Sequence, residues 1–218
     1  SENIRRSKES LRKPRPKVEI PHLFGRGLRD RTLVCLVVNG PLHVRHLART
    51  LEASPSKIFR VVERLIAMGL VVKRRRQGGR RYVALNRGLP IYVALERLLL
   101  ALDRASPAPR VYARRHSAWR MPFSSAMSTR LLEGIFGSRV GTRVLVFAVS
   151  AGESDLVSIS AALKIHSTSA VETVKRWERE GVLRSSFKGG VRQVALNPAF
   201  CAARQLRELI AALVQLNP

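Results

Sequence analysis

The chain contains itself twice. Leu23-Phe24-Gly25 recurs as Ile135-Phe136-Gly137, 112 positions on, and Gly40 matches Gly152 and Gly69 matches Gly181 at the same offset. Val83-Ala84-Leu85-Asn86 returns as Val194-Ala195-Leu196-Asn197, now 111 positions on, so a one-residue slip falls between Val72 and Gly78. Several markers in one order point to a duplicated unit. Two copies are too few for a solenoid, which needs at least three to bury its faces. The 218 residues therefore read as two similar small domains. The expected boundaries are a basic tail over 1–20, a first domain over 21–102, a linker over 103–122 and a second domain over 123–218. The tail, with Lys13-Pro14-Arg15-Pro16-Lys17, has too little apolar surface to fold alone and is expected to be disordered. The linker is rich in Pro, Ser and Arg.

Each copy has the same order of elements. The first opens with a helix near 29–39, where Leu33, Leu36 and Val37 sit at helical spacing. Asn39-Gly40-Pro41 ends it, because glycine caps a helix and proline cannot continue one. A short helix near 43–52 turns Val44, Leu47, Ala48 and Leu51 inward. Ser54-Pro55 starts a third helix, with Ser54 expected to cap free amides and Pro55 suited to the first helical position. That helix stops at Gly69. Two strand-like runs follow, Leu70-Val71-Val72 and Tyr82-Val83-Ala84-Leu85, joined through Gly78-Gly79, which permits a tight hairpin. A last helix near 90–102 is almost wholly apolar (Ile91, Val93, Leu95, Leu98, Leu99, Leu100, Leu102) and is expected to be buried. The second copy places helices near 141–151, 155–163 and 167–180, a hairpin at Gly189-Gly190 and a helix over 199–216. Helix, helix, helix, hairpin, helix is the winged-helix order. The fold class expected is mainly α with small β-hairpin wings, as two tandem winged helix-turn-helix domains.

Charge then narrows the function. Forty Lys/Arg against fifteen Asp/Glu give a formal +25. Such a chain repels itself unless a polyanion is near, which points to nucleic acid first and an anionic membrane surface second. No apolar run approaches the roughly 20 residues of a membrane helix, so no membrane partner is expected. Residues 1–120 carry 28 Lys/Arg and 8 Asp/Glu, so the first half should hold most of the phosphate affinity.

On the third helix of copy one, Ile58, Val62, Leu65 and Ile66 fall at core spacing. Lys57, Arg60 and Arg64 share the other face. Side chains near the start of such a helix, Ser54 and Ser56 included, are placed to reach base edges in the major groove of double-stranded DNA, where arginine to guanine is the commonest specific contact. The hairpin adds Lys73, Arg74, Arg75, Arg76, Arg80 and Arg81, a cationic ribbon fit to track phosphate or enter the minor groove. Alternation lets only some of them point at DNA. In copy two the candidate contacts are Ser167, Thr168, Ser169, Lys175, Arg176, Lys188 and Arg192. Glu172 stands where copy one has Arg60, and a carboxylate there repels phosphate. Trp177 replaces Leu65 and reads as core.

Other chemistry finds no support. His43 and His46 are three apart, but no acid or thiol lies near them in sequence, so no metal is expected. Gly25-Arg26-Gly27 follows no strand and lacks the third glycine of a dinucleotide fingerprint. There is no Walker lysine, no nucleophile elbow and no paired carboxylates. An enzyme is not expected, nor any cofactor. Cys35 and Cys201 each stand among apolar neighbours and read as two reduced, buried thiols. The start of the sequence is polar and basic with no signal-peptide core. The expected compartment is the cytoplasm, on the nucleoid.

On Leu42 to Leu51, on Ser54-Pro55-Ser56-Lys57-Ile58-Phe59-Arg60 through Gly69-Leu70-Val71, and on the Gly78-Gly79 wing, the chain resembles prokaryotic transcriptional regulators of the ArsR and MarR type. A second resembling stretch runs from Ser167 to Val182 and through Gly189-Gly190. The resemblance implies a double-stranded DNA-binding regulator of transcription. ArsR-type metal sensors carry a cysteine pair on the helix before the recognition helix, whereas the matching stretch here, Leu42-His43-Val44-Arg45-His46, has none. Those families also pair single modules into dimers, partly through terminal helices. Two modules in one chain imply an intramolecular pseudo-dimer, the helix near 90–102 packing on the one near 199–216, with self-association through the same helices as the other possibility. A replication or partition factor of a plasmid or mobile element, an architectural nucleoid protein and a protein-interaction adaptor are the alternatives. The charge argues against the adaptor.

Overall fold

The structure is a computed structural model that describes residues 23–24, 27–75, 81–106, 108 and 134–216. The basic tail, the hairpin tip over 76–80 and most of the expected linker lie outside the described residues.

The first half runs α1 (Gly27–Asn39), β1 (Leu42–His43), α2 (Val44–Thr50), α3 (Pro55–Ala67), β2 (Val71–Arg75), β3 (Arg81–Leu85) and α4 (Tyr92–Ala105). The second runs α5 (Arg139–Ser150), β4 (Ser154–Asp155), α6 (Leu156–Leu163), α7 (Ser167–Arg179), β5 (Leu183–Lys188), β6 (Val191–Leu196) and α8 (Ala203–Gln215). The order is the same in both. Each half also has a two-residue strand that the sequence pattern did not suggest. It pairs antiparallel with the second hairpin strand, Leu42 opposite Val83 and Ser154 opposite Val194. Each hairpin is thus a three-stranded sheet with the later hairpin strand in the middle, ordered β1-β3-β2 and β4-β6-β5. Two residues carry no period, so such a strand leaves no sequence signal.

The repeat extends to individual hydrogen bonds. Asn86 Nδ2 donates to the Gly69 carbonyl at 3.0 Å, and Asn197 Nδ2 donates to the Gly181 carbonyl at 2.9 Å. Asn86 Oδ1 accepts from the Gly88 amide at 3.0 Å, and Asn197 Oδ1 from the Ala199 amide at 3.1 Å. Each asparagine ties the end of the preceding helix, α3 or α7, to the chain leaving the hairpin. Gly69 and Gly181 sit at φ +75° and +69°, in the left-handed region that ends a helix without a Cβ penalty.

One apolar core runs through both halves. In α1, Leu33, Val34 and Leu36 are buried; in α3, Ile58, Val62 and Leu65; in α7, Ala170, Val174 and Trp177. Helix α4 packs on α1 and on α8, through Leu95, Leu98 and Leu102 on one side and Leu206, Leu209 and Leu213 on the other. Fully burying each such leucine stabilises by roughly 1.5–3 kcal/mol. Phe24 and Phe136, partners in the repeat, stack on each other with ring centroids 5.8 Å apart. Arg29 reaches from α1 to the carbonyl of Gly134 at 3.2 Å, and Arg97 on α4 pairs with Glu208 on α8 at 3.5 Å.

Three expectations change. Helix α4 is not buried all round: Val93 and Leu100 face outward, because α1 and α8 cover only two of its sides. It also continues to Ala105, past the expected start of the linker at 103, and its Asp103 is buried. Of the two thiols, Cys35 is buried and pushed up to about 11 by that burial, but Cys201 is exposed at the turn before α8. No helix among the described residues is long and apolar enough to cross a membrane.

Candidate nucleic-acid interface

Helix α3 is strongly two-faced. Ile58, Val62 and Leu65 point into the core, and Ser56, Lys57, Arg60 and Arg64 are exposed. The helix begins at Ser54 with Pro55 in its first position. Ser54 makes no side-chain cap, contrary to expectation; its hydroxyl lies 3.3 Å from that of Ser56, and both stay exposed. Pro55 has no amide hydrogen, and the Lys57 and Ile58 amides donate to the Ser54 carbonyl at 3.0 and 3.2 Å.

The hairpin stands next to this face. Lys73 Nζ, on β2, pairs with Glu63 Oε1 of α3 at 3.1 Å and lies 5.9 Å from the centre of the Phe59 ring. These contacts place the ribbon alongside the outer turns of α3. Arg81 is exposed on β3 and is registered opposite Arg75. Arg74 is registered opposite Tyr82. Arg76 and Arg80 lie outside the described residues. The first half thus exposes Lys57, Arg60 and Arg64 on α3 and Arg81 on β3, with Lys73 of β2 paired to Glu63 of α3.

His43 stands on β1 beside Tyr82 of β3. Its Nδ1 accepts from the Arg45 amide at 3.2 Å, capping α2, and its ring meets Tyr82 edge-on at 5.9 Å. Among the described residues no three His, Cys, Asp or Glu side chains come together as a metal site.

The second half is built alike and charged differently. Ser167, Thr168 and Ser169 are exposed in the first turn of α7, and Lys175 is exposed further along. Three other expected contacts are engaged by the protein itself. Arg192 on β6 donates to both carboxylate oxygens of Glu178 on α7, at 2.8 and 2.6 Å, and to the Ser185 hydroxyl at 2.9 Å. Ser185 in turn donates to Glu178. Lys188, beside the hairpin turn, pairs with Glu153, whose carboxyl is held below its ordinary range by that ammonium. Arg176, expected on the outward face, folds back instead. Its guanidinium carbon lies 4.2 Å from the centre of the Trp177 ring, and burial lowers its pKa. The space it fills is opened by Gly141 of α5, where a Cβ would stand 2.5 Å from Arg176 Nη2. Trp177 is buried, as expected of a core residue, and donates from Nε1 to the Gly141 carbonyl at 3.3 Å.

Sequence reasoning missed these engagements because Glu178 and Glu153 lie 14 and 35 residues from the cations they hold. It also passed over Phe59, an aromatic ring 47% exposed on the outer side of α3.

Residues 31–81 match the MarR family. The matched stretch runs from α1 through α2, α3 and β2 to the first residue of β3. It contains Lys57, Arg60, Arg64, Lys73 and Arg81. The match supports a DNA-binding regulator of transcription. No curated protein matches the chain.

Proposed function

We propose that the chain is a sequence-specific, double-stranded DNA-binding transcriptional regulator of two tandem winged-helix modules, working as an intramolecular pseudo-dimer. On this reading α3 enters the major groove and the basic hairpin beside it follows phosphate. The observation that carries it is the exposure of Lys57, Arg60 and Arg64 on α3 together with a basic hairpin whose Lys73 is held against the same helix by Glu63. A solvated helix face would need no cationic ribbon held against it. The match to the MarR family over the same residues supports the reading.

The packing of α4 on α8 supports the pseudo-dimer, since paired modules in this class meet through terminal helices. The two halves would contribute unequally. The first carries most of the charge, and in the second Glu153 and Glu178 already neutralise Lys188 and Arg192. The first half would therefore supply most of the phosphate affinity, and the second fewer phosphate contacts.

Selection of bound duplexes from a random pool tests this, followed by titration of the winner at several salt concentrations. A shared motif and an affinity that falls steeply with salt are expected. Uniform retention of the pool would favour an architectural protein, and a flat salt response would remove the DNA reading altogether.

A further inference from the structure

Phe59 occupies the fifth position of α3, within the first two turns, where side chains of a groove-entering helix reach base edges. Its ring is 47% exposed. Lys73 leans over it at 5.9 Å, and Glu63 holds that ammonium in place. The other large apolar residues exposed among the described residues lie on α4, α6, the second hairpin and α8, so Phe59 belongs to no apolar patch. Its exposed cationic neighbours are Lys73 on the hairpin and Arg60, the next residue of α3. A protein partner that covered the ring would have to strip water from those cations, whereas a nucleic-acid groove neutralises them. In the major groove each base edge presents hydrogen-bonding groups, and the apolar group there is the methyl on C5 of thymine. The equivalent position in α7 is also apolar: Val171, half-buried.

We propose that Phe59 reads the C5-methyl group of a pyrimidine in the major groove and so sets the base preferred at one position of the bound site. The inference rests on the DNA-binding reading above and adds a residue that the charge pattern alone does not single out. Thymine and 5-methylcytosine both carry the methyl, so the experiment separates them.

The probe is the duplex selected from a random pool, prepared with thymine and again with deoxyuridine at each thymine in turn. Loss of one well-covered methyl is expected to weaken wild-type binding about fourfold at one position. At that position cytosine should bind as poorly as uracil, and 5-methylcytosine should restore affinity. In Phe59→Ala the ratio between the thymine and uracil duplexes should fall to about one, and Phe59→Leu should hold an intermediate ratio. Phe59 is outside the core, so the melting curves of both variants should stay in place; if Phe59→Ala does not fold, Phe59→Leu carries the comparison. A wild-type ratio of one at every thymine overturns the proposal, as does an unchanged ratio in the variants. Both are read against salt-dependent binding of the parent duplex by the wild type. Loss of that binding would sink the DNA reading itself, and a unit ratio with that binding intact sinks this inference alone.

Discussion

Asp30 and Thr142 hold equivalent places in the two halves, and each accepts a hydrogen bond from the backbone amide of the stacked phenylalanine six residues earlier. Asp30 Oδ1 takes the Phe24 amide at 2.6 Å, and Thr142 Oγ1 takes the Phe136 amide at 3.2 Å. One acceptor can ionise and the other cannot. Asp30 is buried, and burial raises its carboxyl to about 7, against the pull of the Phe24 amide and the charge of Arg29.

A pH dependence follows from that difference. Between roughly pH 4 and 7 the folded protein keeps a proton on Asp30 that the unfolded chain releases. The Asp30 contribution to stability therefore falls as pH rises through this window and levels off above it. Asp30→Asn keeps an acceptor and has no charge to bury. It is expected to be more stable than the wild type at pH 8 by on the order of 3 kcal/mol, with the gap narrowing toward pH 5. Urea unfolding at both pH values measures it, and a gap that does not change with pH would refute the assignment.

Arg60 and Arg81 should fail differently. Arg60 projects from the centre of the exposed α3 face, so Arg60→Ala is expected to cost about 1–3 kcal/mol on the preferred site and relax the choice of base there. Arg81 stands on the ribbon, so Arg81→Ala should weaken all sequences about equally and lower the salt slope by about one. Competition binding with selected and scrambled duplexes separates the two patterns. Equal losses on every duplex from both changes would count against the division of labour.

The second half should gain affinity when its acid is removed. Glu178→Gln takes away the carboxylate that holds Arg192 and keeps a neutral group for Ser185. Binding is expected to tighten and the salt slope to steepen by about one, as one more cation becomes available to phosphate. An unchanged slope in a folded variant would mean that this face does not approach DNA.

The paired asparagines give a stability test. Asn86 is fully buried and Asn197 only partly. Asn86→Ala strands a buried carbonyl at Gly69 and should cost about 1–3 kcal/mol, while Asn197→Ala, whose partner carbonyl water can reach more readily, should sit at the low end. Thermal unfolding of the two single variants compares them directly, and a larger loss at Asn197 would contradict the burial argument.

Local pattern carried much of this molecule. Gly69 and Gly181 mark where helices end, the spacing of Ile58, Val62 and Leu65 fixes which side of α3 is buried, and Lys57, Arg60 and Arg64 follow on the other side. What sequence could not carry is the choice of partner across the fold. Arg176 and Arg64 are equivalent by position, yet one is tucked over Trp177 and the other is exposed, and the difference lies in a glycine 35 residues away. Arg192 reads as a free cation until Glu178 is found beside it. Ser54 has a capping residue's identity and position, and its hydroxyl turns to Ser56 instead. For both arginines the deciding atom belongs to another strand or helix.

The stack of Phe24 on Phe136 has a mechanical consequence. Modules joined by a tether can straddle gaps of different widths, as legs on a loose hinge do. Here the legs grow from a single solid, with aromatic rings and leucines filling the join, so α3 and α7 stand at a fixed gauge. On the proposed reading the molecule acts as a caliper: whatever both helices touch must already have the right spacing, and one inserted step between the two contacts would cost the whole second grip.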